Sequence, residues 1–217
     1  EHSFPTRRSS DLINISKGAG YMIQRESKIT RKSNETNIEV RINLDGSGNF
    51  EGDTGIGFFD HMLNLLAKHG LLDLYVKAIG DLFVDSHHTI EDVGIVLGLA
   101  IKESLKGKEG IKRYGTSFVP MDETLATVSL DLSGRPYLVF DANFTVDKIG
   151  DFDTEMVEEF FRALAMNSGI TLHARIIYGK NNHHMVEGLF KAFGKALSEA
   201  STYDSRIKGV MSTKGSL

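Results

Sequence analysis

HHTIEDVGIVLGLAIKESL (residues 87–105) and HHMVEGLFKAFGKALSEA (183–200) are two copies of one plan: a histidine pair, a glutamate one helical turn further on, then an apolar stretch. Each reads as a helix that opens on its histidines. The plan extends upstream in both cases. FFDHMLNLLAKHG and MVEEFFRALAMNSG carry apolar residues at i, i+3 and i+4 and read as helices stopped by Gly70 and Gly169. LLDLYVKAIGD and ITLHARIIYGK then read as strands. Further back, Glu35-Thr36 followed by NIEVRINLDGSG recurs as Glu123-Thr124 followed by LATVSLDLSG, and both copies alternate like half-buried strands.

A duplicated order of this kind predicts an α+β fold in which each half lays a helix pair on a small β-sheet and the two halves pack through their helices. The halves are expected at about 22–115 and 116–217, with no long linker between them, so 22–217 forms one unit. Residues 1–21, EHSFPTRRSSDLINISKGAGY, lack either periodicity, and we expect them to be a non-native or disordered extension with Met22 as the native start.

Composition narrows the chemistry. The 217 residues include no cysteine, so disulfides, thiolate zinc sites and a cysteine nucleophile are excluded, and any metal must sit on imidazole and carboxylate. Hydrophobic residues make up 41% and no apolar run approaches the roughly 18 residues of a membrane span, so no membrane partner is expected. A formal charge of -4 supplies no general basic field for nucleic acid. A cytoplasmic location suits the absence of cysteine.

The sharpest chemical feature is the doubled HHxxE, formed by His87, His88 and Glu91 and by His183, His184 and Glu187. On a helix, residues i and i+4 share a face, so His87 with Glu91 and His183 with Glu187 can each grip one cation, while the adjacent histidine projects about 100° around the axis toward another. A single HHxxE could equally be a helix start on the surface. Two copies at matched places, in a chain with only 8 histidines, point to a dinuclear site. Imidazole and carboxylate suit manganese, iron, zinc or cobalt, and open positions favour manganese.

His61 and His173 are further candidates for the metal shells, although a lone histidine is more often a hydrogen-bonded core or edge residue. His69 reads as a cation at a helix C-terminus. Glu35 and Glu123 occupy matching places before the repeated strands, with Asp122 beside the latter, and symmetry marks them as candidate acids or bases. Arg113, Arg135, Lys191 and the tail Ser212, Thr213 and Lys214 are candidates for holding an anion.

FFDHML, DSHHTIED, PMDET, SGRP, GKNNHHMVEGLFKAF and MSTKG, in this order and spacing, resemble the imidazoleglycerol-phosphate dehydratase family from about Met22 to Leu217. The resemblance implies a duplicated fold of the ribosomal-protein-S5 second-domain type, and trimers that assemble into a large octahedral shell with active sites between subunits. It implies two Mn2+ per active site, one on His87, Glu91, His183 and Glu187 and the other on His61, His88, His173 and His184. Arg113, Arg135, Lys191 and Ser212 to Lys214 would hold the substrate phosphate, with Glu35, His61 and His69 also contacting substrate. Glu35 would be the leading acid/base and Asp122 the second.

The implied reaction is metal-dependent dehydration of imidazole glycerol phosphate to imidazole acetol phosphate in histidine biosynthesis, through a metal-stabilised imidazolate and a diazafulvene. A dinuclear metallohydrolase would use similar ligands, and in a metal-stabilised shell without turnover the acids that are not ligands, such as Glu35, would be replaceable without consequence.

Overall fold

Alternation in Thr36–Asn43 and Thr124–Asp131 turns every second side chain inward, and these stretches become β2 and β6, inner strands of two separate sheets. The computed structural model describes residues 25–216, so the expected extension at 1–21 lies outside the described residues. The first sheet has the order β1-β2-β4-β3, from Glu26–Lys32, Thr36–Asn43, Asp73–Gly80 and Phe50–Asp53. The second repeats it as β5-β6-β10-β7, from Tyr114–Met121, Thr124–Asp131, Thr171–Tyr178 and Tyr137–Asp141. In each, three antiparallel strands carry one parallel edge strand, β3 on β4 and β7 on β10. β5 begins at Tyr114, so the expected boundary at 115/116 falls just inside a strand.

The helices are α1 (Gly57–Gly70), α2 (His87–Ser104), α3 (Met156–Ser168) and α4 (Asn182–Ser201). Both HHxxE stretches are thus helix starts. α2 lies on the first sheet and α4 on the second, and the halves meet helix to helix, α2 against α3 and α1 against α4. Phe160, Phe161, Phe190 and Phe193 are fully buried in this double layer. Phe160 and Phe190 stack with ring centroids 5.1 Å apart.

Close crossing depends on glycine. A Cβ on Gly98 of α2 would stand 2.6 Å from the Leu164 carbonyl oxygen of α3, and one on Gly194 of α4 would collide with the Leu66 carbonyl of α1. Both obstacles are backbone, which cannot rotate away.

The connection into the third helix departs most from the symmetry. Only three residues separate β3 from α1, whereas the stretch between β7 and α3 includes a hairpin, β8 (Lys148–Ile149) and β9 (Phe152–Asp153). Phe152 is buried, its ring 5.3 Å from Phe58 of α1. The Thr145 N–H donates to Asn182 Oδ1 (2.8 Å), and Asn182 Nδ2 donates back to Thr145 Oγ1 (2.9 Å). Ser86 Oγ donates to Asp153 Oδ2 at 3.2 Å, so this insert is bonded next to the starts of both α2 and α4.

Gly98→Ala is expected to lower stability by about 1–3 kcal/mol, because overpacking against backbone outweighs the gain in helix propensity. Gly57→Ala, where a Cβ meets nothing within 4 Å, should be neutral or gain about 0.5 kcal/mol. Urea denaturation of the two variants checks the contrast.

Candidate metal centre

α4 begins where Asn181 caps it, its side-chain oxygen accepting the N–H of His183 (2.9 Å) and, more weakly, of His184 (3.5 Å). In the first half Asp85 accepts the His87 N–H at 2.8 Å. An Asx side chain two residues upstream therefore sets each histidine pair at the first turn. From there His183 and Glu187 share a face, with Nε2 to Oε1 at 3.0 Å. His61, reaching over from α1, brings its Nε2 to the same oxygen at 2.8 Å.

The donor atoms of His61, His183 and Glu187 all lie within 4.8 Å of one another. Glu187 is buried, and its other oxygen accepts from Lys191 Nζ at 2.7 Å. Burial raises its pKa, but Lys191 and then His61 and His183 outweigh that and hold it down at about 2. The carboxylate is ionised at neutral pH, and Phe58 backs the His183 ring edge-on at 5.0 Å. Two imidazole nitrogens and one ionised oxygen converging on one point, with no thiolate, fit a divalent transition metal such as manganese.

The remaining histidines of the two pairs turn elsewhere. His88 Nδ1 donates to Asp81 (3.0 and 3.2 Å), and its Nε2 faces Glu35 at 3.9 Å. His184 Nδ1 donates to Glu123 Oε2 (2.8 Å), and its Nε2 faces Asp122 at 3.9 Å. Asp81 raises the pKa of His88. Glu123 is held well below the usual carboxylate range by the N–H of Asn181 first and His184 next. His87 and Glu91 form a looser, half-exposed pair, Nε2 to Oε2 3.7 Å.

Glu35 and Glu123 hold matching places before β2 and β6, but their carboxylates meet different partners. The carboxylate that faces a free Nε2 as Glu35 does is Asp122, which sits in a left-handed backbone conformation (φ 49°) at the β5–β6 turn. Glu123 is instead tied by His184 and by the N–H groups of Lys180 and Asn181. Asp81, the partner of His88, was not among the sequence candidates, since it acts from the end of β4 and follows no helical spacing.

The other candidates lie apart. His173 projects from β10 on the outer sheet face, opposite Leu172 and Ala174, which point to the helices. The resemblance places His61 with His88, His173 and His184, whereas within one chain it stands with His183 and Glu187. His69 is exposed in the last turn of α1, its pKa lowered by partial burial, then by Lys191 and Lys195. Arg113 is buried and donates to both oxygens of Asp131 (2.6 and 3.0 Å) and to the Met211 carbonyl (2.7 Å). Exposed Arg135 approaches the same Asp131 at 3.7 Å, and Ser212, Thr213 and Lys214 follow from Met211, so these anion candidates cluster at the end of β6 while Lys191 stays with Glu187.

Fold and site together define a class: a duplicated α+β protein that gathers imidazole and carboxylate at the starts of two equivalent helices. The profile of imidazoleglycerol-phosphate dehydratase matches residues 54–197. The chain belongs to the imidazoleglycerol-phosphate dehydratase family, a family of hydro-lyases. It is 70% identical over 194 residues to the imidazoleglycerol-phosphate dehydratase of Clostridium acetobutylicum, covering 89% of this chain and 98% of that one. With the Acetivibrio thermocellus relative it shares 63% over 195 residues, 90% of this chain and 100% of the other. The crystal structure of the Staphylococcus aureus dehydratase superposes with a TM-score of 0.75 at 44% identity, covering 82% of this chain and 99% of that chain. The Pyrococcus furiosus structure gives 0.75 at 37% identity over 87% and 100%.

Asn181→Ala should cost about 1 kcal/mol of stability through loss of the cap. Thermal denaturation of the metal-free variant measures it.

Proposed function

We propose that the chain dehydrates imidazole glycerol phosphate to imidazole acetol phosphate in histidine biosynthesis, in the cytoplasm, with Mn2+ held by the histidines and glutamates of the two HHxxE starts and by His61 and His173. Family membership supports the reaction. The observation that carries the residue assignment is the matched geometry of Glu35 over His88 Nε2 and Asp122 over His184 Nε2, each at 3.9 Å. Manganese held there would supply Lewis-acid stabilisation of developing negative charge.

The chain's own groups do the rest. The C–H to be broken adjoins a hydroxyl-bearing carbon and is weakly acidic, so an unaided carboxylate cannot remove its proton. Loss of water requires one proton taken from carbon and one given to the departing hydroxyl. Glu35 leads as the group for these transfers and Asp122 is second, because each carboxylate projects beside a metal-directed nitrogen without being consumed by a strong hydrogen bond. Arg113 and Arg135, which flank Asp131, and the Ser212, Thr213 and Lys214 that follow Met211 are the groups we assign to the phosphate. The exchange keeps phosphate on the product, whereas a metallohydrolase would release it.

The placement of donors supports an assembly of several copies. His173 leaves the sheet on the face away from the helices, so a metal that takes both His173 and His61 must draw them from different copies. The same outer face exposes Tyr114, Phe118, Tyr137, Val139 and Ile177, while the first sheet's outer face carries the ion pairs of Lys28 and Arg41 with Glu39. Both features support contacts between copies, which in the assembly implied by the family resemblance would be trimers building a large shell with active sites between subunits.

Incubation with manganese and imidazole glycerol phosphate should yield the keto product, and Glu35→Gln should reduce turnover by at least about 10²-fold while metal stays bound. Near-normal turnover in Glu35→Gln would move the role to Asp122. Chelation should break the particle into smaller species in sedimentation velocity, because metal binding stabilises the assembled state; an unchanged particle would leave packing alone as its cement.

A further inference from the structure

The carboxylates on the Nδ1 atoms of His88 and His184 come from non-equivalent places in the duplication. Asp81 follows β4, and its counterpart after β10 is Lys180, which cannot accept a proton from imidazole. In the second half Glu123 takes over, its Oε2 accepting from His184 Nδ1 at 2.8 Å and its Oε1 from the N–H groups of Lys180 (3.2 Å) and Asn181 (2.8 Å). In the first half Asp81 already occupies Nδ1, and the duplicate of Glu123, Glu35, stays off that nitrogen and faces Nε2.

We infer that Asp81 and Glu123 are positioning residues, each fixing its histidine with the proton on Nδ1 and the lone pair of Nε2 free, and that the Asp81/Lys180 exchange leaves Glu35 available for proton transfer while committing Glu123 to the scaffold. A carboxylate that accepts from the far nitrogen of a ligating imidazole sets both its tautomer and its orientation. A second anchor holds Glu35 in place independently of its carboxylate. Buried Asp92 accepts from Arg31 and from the Thr36 hydroxyl, and Ser33 Oγ accepts the N–H of Glu35 at 3.2 Å and of Thr36 at 3.0 Å, so the turn before β2 is clamped to α2 by groups other than the Glu35 side chain.

The inference rests on the proposed metal role of His88 and His184, and the test separates the two. Manganese(II) alone is titrated into wild-type, Asp81→Ala, Asp81→Asn and Glu35→Gln protein, with chelator competition as readout. Asp81→Ala should bind roughly 10–100-fold more weakly, Asp81→Asn, whose amide oxygen still accepts, should recover part of the loss, and Glu35→Gln should match wild type within about twofold. Equal affinity in wild type and Asp81→Ala overturns the inference while leaving the metal reading intact. Failure of the wild type to bind manganese sinks the metal reading instead. In that case the imidazole 15N shifts of histidine-labelled, metal-free protein still decide: the proton on Nδ1 of His88 in wild type, and its loss from that position in Asp81→Ala, support the positioning role, and a proton on Nε2 in wild type refutes it.

Discussion

Two helix crossings close enough to demand glycine set everything else in this molecule. His61 lies on α1 and Glu187 on α4, and the 2.8 Å contact between them spans 126 residues of sequence. It exists because Gly194 lets the α4 backbone settle against α1. A side chain there would push the helices apart, and an imidazole of fixed length could no longer reach a carboxylate buried on its neighbour. Gly98 plays the same part between α2 and α3. Packing density, usually discussed as stability, here works as the ruler that fixes donor-atom separations.

Duplication then distributes roles unequally. Two helices start alike, each with an Asx residue receiving the N–H of the first histidine, and each sends the second histidine toward a pair of carboxylates. Similar backbone paths bring different acids to similar places: Asp81 and Glu123 on one ring nitrogen, Glu35 and Asp122 on the other. Equivalence in space and equivalence in sequence order diverge, which is how one copy can keep a carboxylate free while the other ties its namesake into the frame.

Much of this was legible before any coordinates. Period-two alternation over 36–43 and 124–131, the helical spacing behind both histidine pairs, and the recurrence of the whole order specify the element types and the helix-to-helix packing of the halves. The parallel edge strands β3 and β7 were not visible, because Phe50–Asp53 is short and mostly exposed and Tyr137–Asp141 buries no side chain fully, so neither shows a core-facing pattern. The doubled HHxxE marked histidines and glutamates as the candidate donors. Which donors meet was not readable: the approach of His61 to Glu187 depends on a helix crossing, the outward turn of His173 on strand phase, and the contact of Asp81 with His88 on the path of a loop.

The hairpin insert between β7 and α3 carries a consequence for what a duplicated chain can do that a symmetric pair cannot. It is bonded beside α2 through Ser86 and at α4 through Asn182, so a single clasp spans the pseudo-twofold axis that relates the halves. A symmetric pair of half-length ancestors could carry two identical clasps or none, since whatever one subunit placed across the axis its twin would place as well. Within one polypeptide that restriction is absent, because each half can change alone, and a clasp on one side only is compatible with the duplicated fold.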